Sequence, residues 1–161
     1  MNQASRNTDL DSLQREELEQ QLIQQRLLFL ENCEKKFIPF VKHCWPEFID
    51  GSHHRQIAEK FEKIATGEIK RLIVNMPPRH TKSEFASYLF PAWMIGKNPK
   101  MKLMQVSHNA ELASRFGSKV RNLMETEDYK SIFGDVKLRE DSKAKGRWET
   151  NHGGEYFAAG V

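Results

Sequence analysis

Apolar positions change their spacing several times along this chain. Between Asp9 and Glu34, Leu18, Leu22, Leu28 and Phe29 recur at roughly helical spacing among Gln and Glu, with no Gly or Pro between them. The spacing predicts an amphipathic helix capped near Thr8 or Asp9. Such a helix either reaches out as an arm to a neighbouring subunit or packs on its own domain, and the second is favoured. From Lys36 to Gly51 the chain is aromatic-rich, with Phe37, Phe40, Val41, Trp45 and Phe48 broken by Pro39 and Pro46. A short helix and a turn, lidding the domain, are expected there. A further helix over Ser52 to Thr66 ends at Gly67, a suitable C-cap residue.

Ile69 to Met76 reads IKRLIVNM, and its apolar core of Leu72, Ile73 and Val74 is uninterrupted. A short β-branched run of this kind predicts a strand buried on both faces, as in a parallel sheet. Pro77 and Pro78 end it. Thr81 to Gly96 follows as a helix with Phe85, Leu89 and Trp93 on one face, and Pro91 should kink or split it by removing a hydrogen bond. Asn98-Pro99 marks a turn. Met101 to Val106 reads as a second apolar strand. Asn109 to Thr126 reads as a helix with a buried stripe of Leu112, Phe116, Val120 and Leu123. Alternation of strand and helix predicts an α/β layered fold with a parallel sheet core. Trp148 to Asn151, Gly153-Gly154 and Glu155 to Val161 predict a β-hairpin or a strand leading onward.

Composition narrows the class. The chain has 161 residues, 39% hydrophobic and 29% charged, which suits one compact domain with polar flanks. No apolar run approaches membrane-spanning length, and Met1 to Leu10 lacks an apolar signal core, so an intracellular place is the default. The domains expected are a helical arm and lid over residues 1–51 and an α/β domain over 52–161. A net charge of +3 and a pI of about 8.8 permit a nucleic-acid partner without requiring one. The two cysteines, Cys33 and Cys44, form no CxxC pair, and Cys44 with His53 and His54 matches no usual zinc spacing. Buried or free thiols are the plain reading.

The chemistry concentrates in Asn75-Met76-Pro77-Pro78-Arg79-His80-Thr81-Lys82-Ser83, between an expected strand and a helix start. A phosphate-binding loop belongs at such a junction, because loop amides and the helix N-terminus face an anion there. Lys82 can reach the β- and γ-phosphates as a mobile charge. The Ser83 hydroxyl can ligate Mg²⁺ bridging the same phosphates. The spelling departs from GxxxxGK followed by Ser or Thr. Met76 and Thr81 stand where the glycines would be, and threonine meets a steric penalty at positive φ.

The segment RLIVNMPPRHTKSEFASYLFPAWMIG, Arg71 to Gly96, resembles the Walker A region of phage terminase large subunits, whose loop commonly reads PPRHGKS or PPRHTKS. The resemblance continues through VSHNAELASRFGSKVRNL (Val106 to Leu123) and GRWETNHGGEYFAAGV (Gly146 to Val161), and back through HHRQIAEKFEKIATGEIKR (His53 to Arg71). It covers roughly the last two thirds of the chain. Several matched blocks in order are more specific than any single motif, whereas the polar helix before Cys33 is not diagnostic.

The resemblance implies a RecA-like P-loop ATPase of the additional-strand class, with ATP and Mg²⁺ as cofactors. It implies a motor that moves double-stranded DNA into procapsids. The implied partners are DNA, the portal protein, the small terminase subunit and further copies in a ring, with no membrane. The implied place is the host cytoplasm, docked on the procapsid portal. Pro78, Arg79, His80, Thr81, Lys82 and Ser83 fall in the nucleotide-binding loop. Arg79 and Lys82 take the catalytic positions on the γ-phosphate, where a guanidinium fork pairs with phosphate oxygens. Ser83 takes the Mg²⁺ position. His80 is read as structural. Gln56, near His53 and His54, falls where such ATPases contact adenine, and an amide can pair with both edges of that base.

Other groups read more plainly. Arg115, Lys119 and Asn122 share the polar face of the Asn109 to Thr126 helix, read as solvated, with DNA contact by the three, or action of Arg115 on a neighbouring subunit's nucleotide, as alternatives. Lys143, Lys145 and Arg147 lie in a stretch interleaved with acids, either touching phosphates or forming an exposed loop. The acidic pair such an ATPase needs at the end of a later strand is not in view, since Glu84 and Glu155 lack that context. The chain therefore reads as truncated before that pair and before the family's nuclease domain, with poor turnover expected. Alternatives are another RecA-like ATPase such as a helicase, or a non-enzymatic assembly module whose helix binds a portal or small subunit.

Overall fold

In the computed structural model the backbone of residues 3–161 is described, together with side chains from residue 13 onward except Lys143. The architecture is mixed α/β. Seven α-helices and four strands are described, in the order α1 (Gln3–Lys35), α2 (Phe37–Cys44), α3 (Ser52–Ala65), α4 (Lys82–Glu84), α5 (Phe90–Lys97), β1 (Lys102–Ser107), α6 (Ala110–Met124), α7 (Glu127–Ile132), β2 (Leu138–Lys143), β3 (Arg147–Thr150) and β4 (Glu155–Gly160). A π-helical stretch, Phe85–Leu89, joins α4 to α5 without a break. It lies just before Pro91, where the missing amide disturbs the ladder, so the expected interruption takes the form of a widened turn.

The sheet has the order β1-β4-β3-β2. Only β1 and β4 run parallel, while β3 is antiparallel to both β4 and β2, so the sheet is mixed rather than parallel. One face packs on α6. There Trp148 and Tyr156 stack at 4.8 Å and 5°, and the Trp148 indole donates to the Gly117 carbonyl at 3.2 Å. Gly117 has to be glycine, since a Cβ would lie 2.9 Å from both the Lys145 carbonyl and the Tyr156 ring. The other face stays open, with Met104, Val106 and Phe157 exposed. The α6 stripe is rotated from the expected one. Ala113, Gly117, Val120, Leu123 and Met124 are buried, whereas Leu112 and Phe116 are half-buried.

The core is a single aromatic-rich cluster. Phe37 sits at its centre, edge-on to Phe61, Phe85, Phe90 and Trp93 at 5.4 to 5.9 Å. The Lys36 to Gly51 segment therefore supplies core residues, Phe37, Phe40 and Val41, rather than a covering lid. Cys33 and Cys44 are free thiols. Burial pushes them up to about 11 and about 12 respectively, which keeps both protonated and unreactive near neutrality.

Three further expectations change. Thr8 and Asp9 lie inside α1, which starts upstream because nothing in that polar stretch breaks a helix. Nor does α1 pack along its own domain. Leu18, Leu22, Ile23, Leu27 and Leu28 are exposed, and only Cys33 on the last turn is buried among its described side chains. At 33 residues it extends about 50 Å and outruns the body that its end rests on. That end is held by Trp93, whose indole donates to the Cys33 carbonyl at 3.1 Å, and by Lys97, which donates to the Glu34 carbonyl at 3.2 Å. Third, Lys137 to Arg147 is not a loop. It contains β2, a charged edge strand in which Arg139 pairs with Asp141 and Glu149.

These placements set an expected contrast. Phe37→Ala should lower the unfolding free energy by about 3–5 kcal/mol. Leu22→Ser, on the exposed part of α1, should change it by less than about 0.5 kcal/mol. Urea titration followed by tryptophan fluorescence checks both.

Candidate functional site

The run entering the loop departs from expectation. Residues 71–77 form neither helix nor strand and take no part in the sheet. Leu72, Val74 and Met76 face inward and are half-buried, while Arg71, Ile73 and Asn75 point out, Ile73 being 85% exposed. Leu72 and Val74 lie against α3 and the helical run, in a hollow shared with Phe61, Ile64, Ala86 and Phe90. The uninterrupted Leu72-Ile73-Val74 run predicts burial on both faces, whereas only one face is buried. Pairing needs a neighbouring strand, and no described strand pairs with it.

Beyond the two prolines the backbone makes a bend that non-glycine residues seldom make. Arg79 has φ 65° and Thr81 has φ 57°, the positive-φ non-glycine residues described in the chain. Each placement costs on the order of 1–2 kcal/mol. Strain of this kind persists where surrounding contacts over-determine it, and it gathers at ligand sites. Helical geometry begins directly afterwards at Lys82. Pro77 to Glu84 line an open hollow of about 550 Å³, within the ordinary range for ligand pockets.

The charges around this hollow favour an anion. Arg79, His80 and Ser83 are exposed at its rim. Lys82 folds back across the loop, donating to the Met76 carbonyl at 3.3 Å, so its ammonium lies between the start of the loop and its end. The one acid of the lining, Glu84, is neutralised by Lys119 of α6, which reaches both carboxylate oxygens at 2.8 Å. Lys119 is thus not on a simple solvated face, whereas Arg115 and Asn122 are exposed as expected. The acid paired with Arg147 is Glu155, 2.7 Å away and remote from the loop in the sheet.

Gln56 is exposed on α3 and lines a separate hollow of about 340 Å³ with His53, Ile57, Lys60 and residues 72–76. Met76 lines this hollow, and the next residue, Pro77, lines the loop hollow. Pro78 belongs to the loop hollow, and its carbonyl lies 2.9 Å from the His80 ring, a local contact that turns the imidazole back on the loop. Among the described residues, no three His, Cys, Asp or Glu side chains come together as a metal site. Ser83, exposed at the rim of the hollow, offers a hydroxyl that could contribute to holding a metal.

One residue was not expected in this role. His54 is buried at the third position of α3, against the mutually packed rings of Phe48 and Phe85. Its Nδ1 accepts from the Gly51 amide at 3.1 Å, and its Nε2 lies 2.6 Å from the Thr81 hydroxyl. That hydroxyl donates its single proton to the His80 carbonyl at 2.7 Å. Nε2 must then carry the imidazole proton and donate to Thr81. Nothing in the sequence separates His54 from His53 beside it.

No protein-family model, curated protein or solved structure matches the chain.

Burial, and then the neighbouring His53, hold His54 below the ordinary imidazole value of 6.5, with His80 adding to this and Asp50 opposing it. The folded state thus favours the neutral ring. Its contribution is complete above pH 6.5 and is lost as pH falls through the lowered value. The urea midpoint should fall between pH 7.5 and 5 more steeply in the wild type than in His54→Asn. Equal slopes would show that His54 does not titrate between the two states.

Proposed function

We propose that the chain binds ATP through the Pro77 to Ser83 loop, as the nucleotide-binding part of a terminase large subunit. That motor would drive double-stranded DNA into procapsids, docked on the portal in the host cytoplasm. The observation that carries this reading is the left-handed backbone at Thr81. A phosphate loop needs positive φ immediately before its lysine, which is why glycine ordinarily stands there. This chain makes that bend with a threonine, and Lys82, Ser83 and a helical run follow it.

On this reading Lys82 leaves the Met76 carbonyl for the β- and γ-phosphates. Arg79 pairs with γ-phosphate oxygens through its fork, and Ser83 holds Mg²⁺, which would neutralise phosphate charge. The backbone amides of Pro78-following residues His80 to Lys82 face the anion. Gln56 takes the adenine edge in the separate hollow, a division into base and phosphate sites that the two cavities support. The finer fold proposed is RecA-like. Residues 71–77, lying outside the sheet, are the point at which this structure departs from such a fold.

A second reading has its own observation. The exposed leucines of α1 suit a helix that binds another protein, such as a portal or small subunit, with no nucleotide needed. Calorimetric titration with Mg-ATP separates the two. Saturable binding is expected, and Lys82→Ala should weaken it about ten- to hundredfold, the worth of a hydrogen bond to a charged group. Its melting temperature should stay near that of the wild type. No binding, or equal binding by the variant, would favour the assembly reading.

A further inference from the structure

Thr81 has a conformational problem that the phosphate-loop pattern solves with glycine. Its backbone is left-handed, its side chain carries a branched Cβ, and it is followed at once by helix. Two hydrogen bonds meet at its hydroxyl. One goes to the preceding carbonyl of His80, within the loop, and the other comes from His54 of α3, 27 residues upstream. The second bond ties the bend to the body of the protein. His54 itself has little freedom, being buried, packed against two phenylalanine rings and hydrogen-bonded to the Gly51 amide.

We infer that His54 is a positioning residue for the anion-binding loop, holding Thr81 in the left-handed conformation that glycine would otherwise supply. It touches no phosphate and acts through the Thr81 hydroxyl. The inference rests on the nucleotide-binding reading for its functional consequence, but the clamp itself is a property of the loop. The charged and titratable groups around His54 are His53 on its own helix, Asp50 in the preceding turn, and His80 in the loop, while Glu47 and Arg79 line the hollow beside it. Protonation of His54 would set an N–H against the Gly51 N–H and break the contact that orients the ring.

Two measurements test this. Amide hydrogen exchange at Phe85, whose N–H donates to the Thr81 carbonyl at 2.9 Å, reads the clamp without nucleotide. Exchange should speed up at least fivefold in His54→Ala and in Thr81→Ala, and stay near wild type in Thr81→Ser, which keeps the hydroxyl. Unchanged exchange in His54→Ala, or loss of protection in Thr81→Ser equal to that in Thr81→Ala, would overturn the inference. Mg-ATP titration then reads the consequence. His54→Ala should weaken binding at least tenfold, whereas in a Thr81→Gly background the same replacement should change it less than twofold, because glycine needs no clamp. An equal loss in both backgrounds would mean that His54 supports the fold generally, and the inference would fail. Should the wild-type protein bind no Mg-ATP, the proposed function falls, while the exchange result still decides on the clamp.

Discussion

A bend with positive φ at Arg79 and Thr81 must be held against a steric penalty that glycine would avoid, and the site depends on that bend being held. Without it the backbone would leave Pro78 in an extended path and the helix would start elsewhere. Lys82 and Ser83 would then no longer border one hollow. The holding contacts come from two directions. The His54 imidazole fixes the loop side, while Phe85, one turn further on, anchors the helix side against Phe37, Phe48 and His54 itself. The aromatic core and the loop are therefore mechanically one unit.

That coupling explains why α2 matters to a site it does not line, and why α3 matters beyond the hollow that Gln56 lines. Phe37 brings the ends of α2, α3 and α5 onto the π-helical stretch. His54 rides on α3. The capping of α3 by Gly51 sets the height of His54 relative to Thr81, and Gly67, with φ 77°, turns the chain from α3 back into the run over residues 71–77. Electrostatics follow the same economy. Lys119 neutralises Glu84 across the gap between α6 and α4, leaving Arg79 and Lys82 as the charges that an incoming anion would meet.

Much of this was legible in the sequence where local periodicity decides structure. The helix ending at Gly67, the face of Phe85, Leu89 and Trp93, the strand after Asn98-Pro99 and the hairpin around Gly153-Gly154 all emerge from patterning and turn residues. The loop's lysine and serine were visible as a motif despite its missing glycines. What escaped needs tertiary information. The run from Leu72 to Val74 has strand composition, yet strand pairing depends on a neighbour that composition cannot supply. The polar strand β2 has no apolar alternation because it is an exposed edge, and α7 is too short to show a period, although Thr126 before Glu127 and Asp128 was a usable cap signal. His54 could not be told from His53, since only the fold decides which of two adjacent imidazoles faces Thr81.

The central claim is that this strained loop receives a triphosphate. Two-dimensional amide NMR during titration with Mg-ATP tests it most directly. The account predicts saturable shifts at His80, Thr81, Lys82 and Ser83, with the Gln56 side chain shifting in step. Shifts confined to other surfaces, or none at millimolar nucleotide, would contradict it.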